Sequence, residues 1–209
     1  MEKLDVSKAY KPYYTAKTKP ELVEVEPAQY LSIAGQGDPN AEEFARRTQA
    51  IYSLTYRIKF MCKALKKDFT VAKLEGLWWF NEEKWGMPTL REMPVKIPRS
   101  EWEYRLLIRL PEYVVQETIR EALLQAMAEK PSPYLQAVEL YHTPKETAVQ
   151  ILHVGPFHTE PDSLEKLQAF MADHGLQRAG LHHEIYLSDF RKTLSDKLRT
   201  ILREPVERI

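Results

Sequence analysis

The segment L-S-I-A-G-Q-G at residues 31–37 decides the fold, because a similar segment, I-L-H-V-G-P-F, recurs at residues 151–157. Each segment ends a predicted strand, and a predicted helix and a further strand follow it. Repeated strand–helix–strand units indicate two similar halves, each with a helix covering one face of its sheet. We therefore expect an α+β fold in which the uncovered sheet faces meet or frame a cleft.

The other elements follow from hydrophobic spacing and from turn residues. The first predicted strand spans residues 22–37 with an interruption at Pro27, and a long helix follows at about 40–67, where apolar residues recur at steps of three and four. Further predicted strands span residues 73–80, 101–110, 137–142, 147–155 and 181–189. Predicted helices cover residues 111–129 and 162–175, and a short closing helix contains Leu194, Leu198 and Ile201. Residues 1–21 are interpreted as an extended arm, and the strands at 137–142 and 147–155 as a hairpin.

Composition excludes several classes of protein. The 209 residues include 30 Lys and Arg against 30 Asp and Glu, so a protein that mainly binds nucleic acid is not expected. Only 7 glycines are present and no phosphate-binding glycine motif occurs, so no nucleotide cofactor is expected. The single cysteine and the histidine spacing match no zinc template, so no metal is expected either. No apolar run could span a membrane and the N-terminus lacks a signal-peptide core, which predicts a cytoplasmic protein.

The most informative candidate site is H-H-E-I-Y-L at residues 182–187. Alternation along a strand places His183 on the core side with Ile185, and places His182, Glu184 and Tyr186 on the opposite face. A glutamate in mid-strand is unusual, because Glu is depleted in strands and is rarely buried without a partner. Two interpretations remain open: either this face is a solvated outer surface, or it lines a cleft into which Glu184 projects.

Aromatic residues cluster on other predicted strands. Trp102 and Tyr104 share one face of their strand, whereas Trp78 and Trp79 must face opposite ways, and Tyr141 lies on the predicted hairpin. Aromatic rings around a carboxylate bind flat, apolar or cationic molecules, since ring faces attract cations and stack on planar groups. The alternative is that these rings simply fill the core.

Three motifs carry a family resemblance. L-E-G-L-W-W at 74–79, E-W-E-Y-R-L-L-I-R-L-P at 101–111 and H-H-E-I-Y-L-S-D-F-R-K at 182–192 resemble the gyrase-inhibitor-like (GyrI-like) small-molecule-binding family. That family shares its fold with the effector-binding domains of multidrug-sensing transcription activators. The resemblance extends from about Val23 to Leu202, and the last motif is the most specific. Phe190 stands where the family usually has proline.

The resemblance implies a fold and a site. It implies a single domain, 1–209, with a first module at 22–110, a connecting helix and strand at 111–143, and a second module at 144–209. The two strand–helix–strand–strand modules would be related by a pseudo-twofold axis, with antiparallel sheets framing a central ligand groove and Glu184 at its floor. The ligand-binding candidates are Trp79, Trp102, Tyr104, Tyr141, Tyr186 and His182.

Three functions are compatible with this site. The first is binding of planar, lipophilic or cationic xenobiotics for cellular protection. The alternative is hydrolysis of the cyclopropane ring of DNA-alkylating natural products, as in some similar members of the family, with Glu184 as the general base. A further alternative is a ligand-sensing subunit that acts with a separate transcription regulator, since the roughly 20 residues before the first strand cannot hold a helix-turn-helix. The expected partner is a small molecule, with no direct contact to nucleic acid or membrane, and the chain is expected to be a monomer or a weak dimer.

Overall fold

The computed structural model describes residues 3–209. The strands are β1 (Leu4–Asp5), β2 (Glu21–Val25), β3 (Ala28–Gln36), β4 (Phe69–Thr70), β5 (Leu74–Trp79), β6 (Glu103–Arg109), β7 (Glu139–Thr143), β8 (Glu146–Val154), β9 (Leu176–Arg178), β10 (His182–Tyr186) and β11 (Arg199–Arg208). The helices are α1 (Val6–Ala9), α2 (Glu42–Ala64), α3 (Glu82–Trp85), α4 (Met93–Lys96), α5 (Gln116–Glu129), α6 (Pro133–Gln136) and α7 (Glu160–Asp173). Within the described residues, no helix is long and apolar enough to span a lipid bilayer.

One large antiparallel sheet organises the molecule, in the order β2-β8-β11-β10-β5-β6-β3-β7, and β9 pairs with β11. The elements β3, α2, β5 and β6 recur in the same order as β8, α7, β10 and β11. The two halves meet at the antiparallel pair β5–β10, where Gly76 lies opposite Glu184. The predicted α+β fold with two strand–helix–strand–strand modules is therefore confirmed, and the two sheets form one continuous surface.

The predicted hairpin is wrong. β7 pairs with β3, whereas β8 pairs with β2 and β11, so two consecutive strands lie toward opposite edges of the sheet. β2 and β3 are separated in the same way, although only Glu26 and Pro27 connect them. Two residues span only about 7 Å. The sheet must therefore curve strongly until its two edges approach each other. Ion pairs from Lys145 to Glu24 (3.7 Å) and Glu26 (3.3 Å) form at this approach.

The N-terminal segment fills the concave face of the curved sheet. Tyr13 donates to Glu75 of β5, lies 2.8 Å from the Tyr30 hydroxyl of β3, and has its ring 4.9 Å from Arg109 of β6 and 4.5 Å from Arg203 of β11. The interpretation of residues 1–21 as an extended arm is thus wrong for the described part of that segment. The segment contains β1 and α1. Its tyrosines supply hydrogen bonds to the carboxylate of Glu75, which is fully buried and therefore needs such partners.

Helices α2 and α7 cover the convex face. α2 contacts β3 and β6, and α7 contacts β8 and β11. The buried stripe of α2 includes Phe44, Ile51, Leu54, Ile58 and Cys62, which confirms the predicted long helix. Residues near the N-terminal ends of α2 and α7 border a gap above β5 and β10.

The predicted closing helix is wrong. Ser195–Lys197 forms only a single turn, and Ile201 lies within β11, a strand buried along most of its length. A strand buried on both faces shows no alternation of apolar and polar residues, so its sequence does not reveal it. In addition, the buried charged residues Arg203 and Glu204 interrupt the apolar run that would otherwise indicate a strand.

Candidate functional site

A cavity of about 210 Å³ occupies the gap between the N-terminal ends of α2 and α7. Its floor is the β5–β10 pair, and we call it the main cavity. Its aromatic lining consists of Phe44, Trp78, Trp102, Phe157, Tyr186 and Phe190. Its ionisable lining consists of Arg99, Glu160, His182 and Glu184.

Four of the residues selected from the sequence meet at this cavity. His182, Glu184 and Tyr186 project from the same face of β10, and Trp102 precedes β6. Trp78 joins them because it lies opposite His182 in the strand register. Its indole Nε1 donates to the Tyr186 hydroxyl at 3.1 Å, a bond that fixes both rings. Of the adjacent tryptophans Trp78 and Trp79, it is therefore Trp78 that lines the cavity.

Trp79 and Tyr141 do not reach the cavity. Strand alternation turns Trp79 to the opposite face, where Trp79 and Tyr141 pack beside Tyr30, Leu77 and Leu107. The ring of Tyr141 also lies 4.6 Å from the guanidinium of Arg105. Both residues, which we predicted to bind a ligand, therefore lie outside the lining of this cavity.

Tyr104 is on the predicted face but lies behind the cavity wall. It is fully buried, with its ring 5.4 Å from Trp78 and 5.0 Å from Phe44. β6 is one strand further from the β5–β10 centre, and Phe44 of α2 covers it. Tyr104, which we predicted to bind a ligand, therefore lies outside the cavity lining and packs against two rings that belong to it.

Glu160, the first residue of α7, is a second carboxyl group at the cavity that sequence reasoning did not select. Its Oε1 is buried and has no hydrogen-bond partner among the described residues. Burial, and after it the charge of Glu184, raises the pKa of Glu160 well above its usual value, and His182 only partly opposes this. We expected this helix to begin at residue 162. No sequence signal indicated that the chain would turn Glu160 toward Glu184.

His182 connects the cavity to a buried carboxylate. Its Nδ1 contacts Glu204 of β11, and its Nε2 lies 3.3 Å from Glu184. Burial alone would lower the pKa of His182, but the charges of Glu204 and Glu184 outweigh it and raise that pKa to about 10. The imidazole is therefore protonated at neutral pH and links two carboxylates. Arg178 approaches the other oxygen of Glu204, with its Nε at 3.5 Å.

The cavity thus combines aromatic walls with acidic, basic and hydroxyl side chains. Burial first, and the Glu184 charge next, raise the pKa of Tyr186 well above its usual value, so its hydroxyl stays neutral and can donate to a ligand. Among residues 3–209, no group of three histidine, cysteine, aspartate or glutamate side chains is arranged to hold a metal ion. What the cavity offers is stacking, hydrogen bonds and two carboxyl groups, Glu160 and Glu184, of which Glu160 has a raised pKa.

Comparisons with known proteins bear on the family and the fold. Residues 114–207 match the model of the GyrI-like small molecule binding domain. No curated protein matches the sequence. Among solved structures, an uncharacterized conserved protein from Listeria innocua is 34% identical over 98% of this chain and 100% of its own, with a TM-score of 0.86. A hydrolase from Listeria innocua is also 34% identical, with the same coverage and a TM-score of 0.83.

A more distant structure shares only the fold. The EcmrR C-terminal domain is 13% identical over 91% of this chain and 98% of its own, with a TM-score of 0.57. The match at residues 114–207 includes β10 and its Glu184, and the 34% identity to the Listeria innocua proteins extends over nearly the whole chain. This protein belongs to the GyrI-like small-molecule-binding family.

Proposed function

We propose that this protein binds planar, lipophilic or cationic small molecules in the main cavity. The observation that carries the proposal is Glu184, a carboxylate that reaches a cavity walled by Trp78, Trp102, Phe157 and Tyr186. Aromatic faces stack on planar groups and attract cations, and a carboxylate adds a counter-charge. A ligand would also supply the hydrogen-bond partner that the buried Glu160 Oε1 lacks.

The arrangement of the rings supports a flat ligand. Trp78 and Trp102 meet edge to face with their centroids 6.4 Å apart, and Phe157 meets Tyr186 in the same way at 6.0 Å. The hydrogen bond between Trp78 and Tyr186 and the packing of Tyr104 behind Trp78 hold these rings in place. A preformed site loses little side-chain entropy on binding.

The test uses two matched tryptophans. Trp102 lines the main cavity and Trp79 lies on the opposite face, and both are partly buried. We expect Trp102→Ala to weaken binding of a planar cation such as 9-aminoacridine roughly tenfold or more, because stacking on an aromatic ring contributes about 1–2 kcal/mol. Trp79→Ala should leave the dissociation constant unchanged. Fluorescence titration measures both, and equal effects of the two substitutions would contradict the proposal.

A second candidate function is hydrolysis of an activated cyclopropane, and the presence of two carboxyl groups in the cavity favours it. Glu160 and Glu184 line one cavity, and the raised pKa of Glu160 favours its protonated form. Two carboxyl groups of different protonation state are the requirement for paired general acid and base catalysis. A 34% identical relative is described as a hydrolase.

The balanced step adds one water molecule across the ring. Glu184 takes a proton from water, and the water oxygen bonds to a cyclopropane carbon. The carbon–carbon bond breaks, and its electron pair moves into a conjugated carbonyl, whose oxygen takes the proton of Glu160. Return of a proton from Glu184 to Glu160 restores both groups.

Incubation with a cyclopropane-bearing alkylator, followed by mass spectrometry of the ring-opened product, tests this candidate. Glu184→Gln and Glu160→Gln should each lower the rate about 100-fold or more while both variants still bind the compound. Glu165→Gln, at an exposed position of the same helix, serves as the control. Ring opening no faster than without protein, or full activity of Glu184→Gln, would exclude the hydrolytic role and leave the binding proposal standing.

A further inference from the structure

A second cavity of about 260 Å³ lies beside the main cavity. Its walls come from α2, from the chain that leads into β5, and from the loop after β10. The residues that matter here are Tyr52, Lys73, Asp189, Arg191 and Lys192. Most of these side chains are polar or charged, unlike those around the main cavity.

The two cavities share a wall of only two aromatic side chains, Tyr186 and Phe190. Their ring centroids are 6.5 Å apart, and Phe190 is 39% exposed. Tyr186 is held by its hydrogen bond to Trp78, whereas Phe190 follows the end of β10 in a loop. A ligand that passes over Phe190 can therefore occupy both cavities at once.

The charges of the two cavities differ. Beside Glu160 and Glu184, the main cavity contains Arg99 and His182, whose positive charges are paired with Asp38 (3.7 Å) and Glu204. In the second cavity the Arg191 guanidinium pairs with Asp189, with nitrogen–oxygen distances of 3.0 and 3.1 Å, and these charges cancel. Lys73 and Lys192 remain, and neither forms an ion pair with any residue of the described range 3–209.

We propose that the second cavity is a subsite for an anionic group on an elongated ligand. The planar head of such a molecule lies among the rings of the main cavity, and a carboxylate or similar anion on its tail lies between Lys73 and Lys192. The inference rests on the proposed binding function of the main cavity. It adds a rule for selectivity: a planar ligand with an acidic tail binds more tightly than the same ligand with a neutral tail.

The experiment compares three probes: 9-aminoacridine, 9-aminoacridine with a short alkyl carboxylate on its exocyclic nitrogen, and the primary amide of that acid. For the wild-type protein we expect the acid to bind roughly twofold to thirtyfold more tightly than the amide, since two exposed ion pairs contribute about 0.4–2 kcal/mol. High salt should reduce this preference.

Variants then test whether Lys73 and Lys192 cause the preference for the acid over the amide. The double variant Lys73→Gln/Lys192→Gln should lose it while binding unmodified 9-aminoacridine as before. The control Lys63→Gln/Lys130→Gln removes the same charge from exposed positions outside both cavities. This control should still prefer the acid over the amide. Equal binding of acid and amide to the wild-type protein, or a preference that survives in Lys73→Gln/Lys192→Gln, overturns the subsite. Failure of unmodified 9-aminoacridine to bind instead overturns the proposed function of the main cavity, and with it the two-cavity ligand.

Discussion

At the level of single residues, Glu204 influences the site although it does not line the cavity. Glu204 is fully buried, and one of its oxygens holds the Nδ1 proton of His182. The other ring nitrogen faces Glu184 at 3.3 Å. Glu204 is thus a positioning residue, because it keeps His182 charged and thereby keeps a cation next to the carboxylate at the floor of the cavity.

Glu204→Gln should make the free energy of unfolding less sensitive to a rise in pH from 7 toward 10. The pKa of His182 is about 10 in the folded protein against a usual 6.5, so the folded state holds an extra proton between these values. The stabilisation is complete below pH 6.5 and is lost as the pH rises toward 10. In the variant only Glu184 still opposes the effect of burial, so the pKa of His182 falls and this loss becomes smaller. Breaking the buried pair costs about 3 kcal/mol at pH 7.

Urea denaturation at pH 7 and pH 9.5 measures this difference. Groups other than His182 titrate alike in both proteins, so the change in unfolding free energy between the two pH values isolates the histidine. Glu204→Asp keeps the charge and should restore part of the wild-type slope. An unchanged slope in Glu204→Gln would show that Glu204 does not hold the His182 proton.

At the level of elements, the strand pair β5–β10 builds the floor, and Gly76 permits its geometry. A Cβ at residue 76 would lie 2.7 Å from Trp78 Nε1 and 3.1 Å from the Tyr186 hydroxyl. The hydrogen-bonded pair of rings therefore needs a glycine beneath it. The sequence L-E-G-L-W-W contains this glycine, but only the register of β10 places Tyr186 above it.

Gly76→Ala should displace Trp78 and weaken binding of 9-aminoacridine at least fivefold, with about 1–3 kcal/mol lost in stability from the overpacking. Gly180→Ala is the matched control, because its Cβ would lie 2.9 Å from Pro205, and neither Gly180 nor Pro205 lines the cavity. The control should lose stability but keep its affinity for the probe. Similar affinities for the two variants would show that the Trp78–Tyr186 bond does not shape the site.

At the scale of the whole molecule, curvature of the sheet determines which surface can bind a ligand. The concave face is occupied by Tyr13 and Tyr14, which both donate to Glu75, and His183 contacts the same carboxylate at 2.9 Å. That polar network is closed within the chain. The convex face carries the two helices, and the gap between their N-terminal ends leaves Glu184 accessible.

The amino-acid sequence by itself determined much of this protein. The repeat at 31–37 and 151–157 predicted the two modules, alternation in H-H-E-I-Y-L separated His183 from Glu184, and three motifs indicated the family. These features are local, since side-chain direction along a strand and apolar spacing along a helix depend on neighbours in the chain. Local patterns could not choose between Trp78 and Trp79 for the cavity.

Only the tertiary structure decided how distant segments meet. It paired β2 with β8 and β7 with β3, it turned Trp79 and Tyr141 away from the cavity, and it buried Tyr104 behind Phe44. It also brought Glu160 of α7 to Glu184 of β10, and Glu204 of β11 to His182. The physical reason is that strand order and sheet curvature follow from packing over the whole chain, which no single stretch of residues encodes.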